Sequence, residues 1–418
     1  MKLAIIMLTM LMISKDSLPI GDVYIMRGLS QITAFMIGLY LVFAYFQPAK
    51  LLRQKWVFAY LILVVISAFL SEFVIYSSLQ AGSLFASLLL FIGLTMLKDG
   101  EQRSLYRALS LSVFWVYLIV SVASLALYFV SPNLVVQKVY GNEIRFTGLF
   151  SEPAMMGTAA GLLFGAGLLV IENKSLKLIG IVVAVTCMFL TLSRTFILAS
   201  IAASLMAAWF YQPKLRKLVL PLGITALIGI SAFVVIYAGS SVQDAELNNI
   251  VRTDSISNLS GRPSLWAAVI EARIEAPLAG EGFSLGGALL YDLNSISGDI
   301  DPRAIGRTTL HSGYFQALAD LGLIGGVLYT LLILVASFVL ISRDRLRRYP
   351  MLCYILIFMA ISNAAESVIY TASNFPSIFF WYALITVMGM TQSELSGETE
   401  RPIHAGIKQR QPSKFNLV

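Results

Sequence analysis

One residue able to move a proton at neutral pH stands at the head of a long apolar run. His311 opens the stretch "HSGYFQALADLGLIGGVLYTLLILVASF", and it is one of only two histidines in 418 residues. An imidazole ordinarily titrates near pH ~6.5, so it can take or give a proton under physiological conditions. Arg303 and Arg307 precede it, and Tyr314, Gln316 and Asp320 follow it. A loop histidine taken alone is more often a surface residue than a base. His404 lies in a polar C-terminal stretch and reads as incidental.

Three further stretches could act with it. In "LTLSRTFILAS", Arg194 sits between two apolar runs with almost no loop. An arginine there is expensive unless it snorkels or meets an anion. In "GRPSLWAAVIEARIEAPLAGEGF", Pro263 suits a first helical turn and Pro277 stops the helix. Leu265, Trp266, Val269 and Ile270 form its apolar stripe, Arg273 and Glu275 lie off that stripe, and Arg262 stands at its start. The bland alternative makes this helix a lid and Arg262 a surface charge. In "IRFTGLFSEPAMMGTAAGLLFGAG", Arg145 and Glu152 precede an apolar run in which Gly157, Gly161 and Gly165 recur every fourth residue. That ladder reads as close helix packing. Arg145 and Glu152 could equally pair with each other.

Arginine offers several donors in a fixed fork that matches phosphate oxygens. A base beside such arginines could deprotonate a hydroxyl. The chain has no metal-binding spacing, no GxSxG elbow and no glycine-rich phosphate loop. No metal and no cofactor are therefore expected. A lipid diphosphate held by arginines and attacked by a sugar hydroxyl would use every part.

The elements that must position these residues lie in a membrane. The chain is 58% hydrophobic and only 13% charged, and several runs approach the ~20 apolar residues a spanning helix needs. Continuous runs favour helices over a barrel, which would alternate in roughly ten-residue segments. The fold expected is an all-α polytopic membrane protein with about 12 transmembrane helices. Spans are placed near residues 1–13, 29–46, 56–72, 79–97, 105–130, 154–171, 176–192, 195–211, 218–238, 318–342, 351–368 and 376–392. The first resembles a signal peptide but lacks a small-residue cleavage pattern, so it reads as a short span. Residues 1–238 thus hold helices 1–9, 239–312 form one large, partly helical outer loop, 313–392 hold helices 10–12, and 393–418 are a polar tail.

Orientation follows from the basic residues. Lys50, Arg53 and Lys55, then Lys98, Arg103 and Arg107, then Lys174 and Lys177, then Lys214, Arg216 and Lys217, then Arg343 to Arg348 fall on alternate connections. That face and both termini are assigned to the cytoplasm, with twenty Lys/Arg against seven Asp/Glu; the outer face has ten against sixteen. The basic balance is thus a topology signal and does not argue for nucleic acid.

The motifs "RFTGLF", "LSRT", "GRPSLW" with "PLAGEGF", and "HSGYFQALADLGLIGG" occur in an order that resembles the O-antigen ligase and Wzy-type polysaccharide polymerase superfamily. The resemblance covers roughly residues 140–392, including "NFPSIFFWYALITVMG". It implies a GT-C-like fold in the bacterial inner membrane. It also implies a metal-independent glycosyltransferase that uses an undecaprenyl diphosphate-linked glycan at the periplasmic face. By the same resemblance Arg194 and Arg262 match diphosphate-binding arginines, Arg145 a less uniform one, and His311 the base. Glu152, Arg307 and Tyr314 complete the expected substrate site. The family commonly has Asn after the histidine, where this chain has Ser312.

The leading expectation is a polymerase of O-antigen or exopolysaccharide, supported by "SEP" at 151–153. The alternative is a ligase moving the finished glycan onto lipid A-core. A flippase would line a path with mid-membrane charges, whereas Glu72, Arg194 and Glu366 fall at span ends. A non-catalytic assembly protein would leave the outer arginines dispensable. Expected partners are the lipid-linked donor, a lipid-linked or lipid A-core acceptor, membrane lipids and a chain-length regulator.

Overall fold

The computed structural model describes residues 23–139, 143–150, 152–211, 262–278, 280–289, 310–340, 349–367, 370 and 375–390. The expected spans at 1–13 and 218–238, most of the outer loop and the tail lie outside these residues. The described helices are α1 (Val23–Ala44), α2 (Pro48–Arg53), α3 (Lys55–Leu70), α4 (Val74–Thr95), α5 (Asp99–Val130), α6 (Pro153–Leu169), α7 (Lys174–Leu190), α8 (Arg194–Tyr211), α9 (Arg262–Glu275), α10 (Gly313–Leu340), α11 (Pro350–Ser362) and α12 (Phe375–Gly389). Ten of them coincide with expected spans; α2 and α9 are the others. Among the described residues, three helical segments are long and apolar enough to cross a membrane: Val74–Thr95, Gly100–Val130 and Gly313–Ser337. The chain is a helical membrane protein.

The all-α expectation needs one correction. Strands β1 (Val136–Val139) and β2 (Glu143–Phe146) pair antiparallel, with Gln137 opposite Arg145. Four residues per strand are too few for alternation to stand out beside the apolar run of α5.

α11 is the hub. Its residues Met351–Met359 are all buried, and it packs against α6, α8, α10 and α12. A helix apolar all round is one that neighbours cover all round. Pro350 starts it at a position where the missing N–H breaks no helical bond. The glycine ladder of α6 lets two of those neighbours approach. A Cβ on Gly157 would lie 2.4 Å from the Phe196 ring of α8, and one on Gly161 2.3 Å from the Phe358 ring of α11. A Cβ on Gly165 would lie 2.2 Å from the Tyr354 ring. These contacts set direction: α6 and α8 run parallel, and α11 runs against them.

α10 does not run straight. Gly322 takes φ 71° and ψ −174°, which breaks the helix into a short arm, Gly313–Leu321, and a long arm below it. The expected span at 318–342 missed this break and began five residues late. The segment after α9 inserts at the break. Leu323 donates its N–H to the Pro277 carbonyl (2.8 Å), while the Ala319 carbonyl accepts from Glu281 N–H (3.0 Å). Asp320 is fully buried there. Its carboxylate accepts the N–H groups of Ser284 and Gly286, both at 2.5 Å. Its carbonyl accepts from Ser67 Oγ of α3 at 2.7 Å. Beside the long arm, an apolar groove of about 620 Å³ runs against α3, lined by Trp56, Ala59, Leu63, Leu323, Val327 and Leu331 among others.

The ladder yields a paired test. Gly165→Ala forces its methyl into the Tyr354 ring, whose hydroxyl is tied to the Gly161 carbonyl at 2.9 Å. It should destabilise by about 1–3 kcal/mol. Gly82→Ala in α4 meets nothing within 4 Å and should leave stability unchanged or raise it by up to ~1 kcal/mol. Thermal melts of the purified protein in detergent distinguish the two. Equal melting temperatures would mean that the ladder is not a tight contact.

Candidate active site

Because α6, α8 and the short arm of α10 all run against α11, their N-termini gather at its C-terminal end. Glu152 is the N-cap of α6, Arg194 the first residue of α8, and His311 stands two residues before α10. Helix N-termini carry unsatisfied N–H groups and a positive partial charge, so this end favours an anion. Arg194 follows a tight turn in which Leu192 takes φ 54°.

His311 is itself in the left-handed region, φ 51°. That conformation costs an L-residue roughly 1–2 kcal/mol and persists only where the surroundings impose it. Here they do. The Leu310 carbonyl accepts from Trp266 Nε1 at 3.0 Å, and Trp266 stacks on Phe315 with ring centroids 5.0 Å apart and planes 9° apart. On the other side, Gly313 donates its N–H to the Asn363 carbonyl at 2.9 Å. A Cβ on Gly313 would lie 1.9 Å from Asn363 Oδ1. Ser312 is buried against the same residue.

The imidazole is half-exposed, and its Nδ1 faces Glu366 Oε2 at 3.8 Å. That separation is too long for a hydrogen bond. Glu152 completes a charged cluster. Solvent still reaches its side chain, yet surrounding protein holds its carboxyl above the ordinary carboxylate range. Desolvation is the main cause, repulsion from Glu366 the second, and His311 opposes both. Arg145 of β2 acts on Arg194 as a like charge, and β2 packs against α6 and α7 beside this end. Two guanidiniums held close repel unless negative charge lies near them.

The other expected site residues fare differently. Arg262 is the first residue of α9, four residues before Trp266, which touches the backbone beside His311. Tyr314 donates its hydroxyl to the Ala360 carbonyl of α11 at 2.9 Å, so it braces the helix pair. Arg303 and Arg307 lie outside the described residues. Arg273, expected off the apolar stripe of α9, is instead buried and paired with Glu281 at 2.6 Å, while Ile270 is exposed. Trp266, Val269 and Arg273 are spaced three and four apart and so share the inward face. Glu366 and Asn363 were not read as site residues. The available signal was a lone carboxylate at the end of an apolar run. Among the described residues, no three His, Cys, Asp or Glu side chains are grouped to hold a metal ion.

Residues 179–330 match a family model described as O-antigen ligase. The matched stretch runs from within α7 into α10 and holds Arg194, Arg262 and His311. No curated protein matches the chain.

The Glu152 shift has a pH consequence. A carboxyl whose folded value lies above its unfolded one makes the folded state bind more protons than the unfolded state. Stability is then lost as pH rises from the ordinary carboxylate range through the raised value. Glu152→Gln removes that loss. It should melt higher than the wild type at neutral pH and equally in acid below the unfolded value. A variant melting lower at neutral pH would show that the ionised carboxylate is compensated.

Proposed function

Membership of residues 179–330 in the O-antigen ligase superfamily is the premise from which we propose a polysaccharide polymerase. It transfers an undecaprenyl diphosphate-linked glycan onto the hydroxyl of another lipid-linked repeat unit. The observation that carries this reading is His311, held in a left-handed backbone beside Glu366, at an end of the bundle where helix N-termini and arginines favour an anion. The acceptor oxygen attacks the anomeric carbon. The bond from that carbon to the diphosphate breaks, and the acceptor proton passes to His311 Nε2. Glu366 stabilises the imidazolium so formed. Arg145, Arg194 and Arg262, with Glu152 tuning the local charge, hold the lipid diphosphate and stabilise the charge that develops on it. The apolar groove between α3 and the long arm of α10 suits the lipid tail.

In this reading the fold is GT-C-like, with about twelve spans in a bacterial inner membrane. The site faces the periplasm and both termini are cytoplasmic. Transfer needs no metal. The second reading is a ligase acting on lipid A-core or another acceptor, and the family match is compatible with both. The donor chemistry is the same in both.

A deletion strain separates these readings through its lipid-linked and surface glycans, resolved by gel and mass spectrometry. Surface material limited to single repeat units supports the polymerase. Full-length chains trapped on the lipid diphosphate support the ligase, and repeat units stranded on the cytoplasmic face overturn both. Complementation with His311→Ala should lose transfer by roughly 10²–10⁴-fold with expression intact. Arg194→Lys should also be impaired, because an ammonium lacks the planar fork. Normal chain length from His311→Ala would remove the base assignment, and a fully active Arg194→Lys would make that arginine a snorkelling residue.

A further inference from the structure

We propose that Gln316 and Asp320 are positioning residues for His311, forming a buried relay that fixes the backbone beside the base and couples it to α9. The function of the base rests on the polymerase or ligase reading above; the relay itself rests on geometry. Gln316 lies one turn before Asp320 on the inner face of the short arm, and both are buried. Gln316 Nε2 donates to Asp320 Oδ1 at 2.9 Å. Gln316 Oε1 accepts the N–H of Leu310 at 3.2 Å. Both ends of one amide are thus engaged, and turning it over would set donor against donor.

These bonds fall where they control the histidine. The Leu310 carbonyl belongs to the peptide that precedes His311, and Trp266 of α9 holds it. The Leu310 N–H belongs to the peptide before that, and Gln316 holds it. The peptide entering Gly313 is held by Asn363. Holding the peptide before His311 and the peptide entering Gly313 confines the two residues between them, His311 and Ser312, and His311 takes φ 51° within that span. Asp320 then carries the relay outward. Its carboxylate also takes the N–H groups of Ser284 and Gly286, so the segment that follows α9 is fastened to the same anchor. A Cβ on Gly286 would lie 2.4 Å from Asp320 Oδ1, which leaves no room for a side chain at that junction. α9 is therefore attached twice, through Trp266 near its start and through residues 284–286 beyond its end. The base and the helix that begins with Arg262 form one unit.

With two histidines in the chain, His404→Ala leaves His311 as the sole imidazole. In that background, the rate at which diethyl pyrocarbonate modifies His311 is measured on the full-length protein in detergent, alongside transfer kinetics. Gln316→Met keeps the side-chain volume and removes both relay bonds. Modification is expected to become several-fold faster as the ring leaves its fixed place. kcat should fall roughly 10- to 100-fold with KM unchanged. Gln316→Glu keeps the Leu310 acceptor but loses the donor to Asp320; it should show the same changes and serves if Gln316→Met does not fold. Faster modification with unimpaired transfer would uphold the relay and remove His311 from the chemistry. An unchanged modification rate overturns the relay whatever transfer does, and so does a rise in KM alone.

Discussion

A helix interrupted inside an apolar body must find partners for the backbone groups that the interruption frees, since no water is there to take them. That requirement governs the architecture around α10. At Gly322 the helical bond from Leu323 N–H to the Ala319 carbonyl is gone. Both halves are satisfied by the segment after α9, Leu323 by Pro277 and Ala319 by Glu281. The Asp320 carbonyl, which would have served the next turn, takes Ser67 Oγ and the Gly282 N–H. The inserted segment brings its own free N–H groups, and the Asp320 carboxylate accepts two of them. A buried carboxylate is tolerable because so many donors converge on it. The sequence "PLAGEGF" is small at the points of insertion for a steric reason. A Cβ on Gly280 would stand 2.2 Å from the Asp320 carbonyl oxygen.

Electrostatics follows from that geometry. The break lets the short arm of α10 present its N-terminus beside those of α6 and α8, against the C-terminal end of α11. Positive ends meet a negative end, and charged side chains of both signs stand there, with Glu152 capping α6. Arg194 begins α8, while Glu366 follows α11. His311 faces Glu366 across 3.8 Å. Glu366 and Glu152 bring negative charge to this end of the bundle. Arg194 and the helix N-termini bring positive charge to it, which favours an anion. In the transfer proposed above, proton uptake by His311 and departure of the diphosphate would both take place at this one end.

The parts legible in the sequence are those written in local pattern. Apolar runs marked the helices, Pro263 marked the first turn of α9, and the four-residue glycine spacing marked a helix contact, which Phe196, Phe358 and Tyr354 fill. What escaped depends on partners far away in the chain. Gly322 sits in "ADLGLIGG", where a glycine inside an apolar run reads as a packing residue; the break is intelligible only with the insertion of residues 277–286. Arg273 was misassigned because periodicity drawn from apolar residues alone puts a cation outside, whereas Glu281 lets it turn inward. The hairpin escaped because its strands are short. Glu366 escaped because its significance is its distance from His311, 55 positions earlier.

The site is also divided along the chain. The family match at residues 179–330 holds His311, Arg194, Arg262 and the Asp320 anchor apart from Ser67. Glu366, Asn363, Glu152 and Arg145 lie outside it. The matched stretch therefore contains His311, two arginines and the Gln316–Asp320 pair, while Asn363 grips the backbone after His311 from outside it. The unmatched flanks supply the carboxylates that set its electrostatic surroundings. The side chain of Glu366 and the backbone anchor are separate devices, because Asn363 holds the residues beside His311 through a main-chain carbonyl that any residue there would provide.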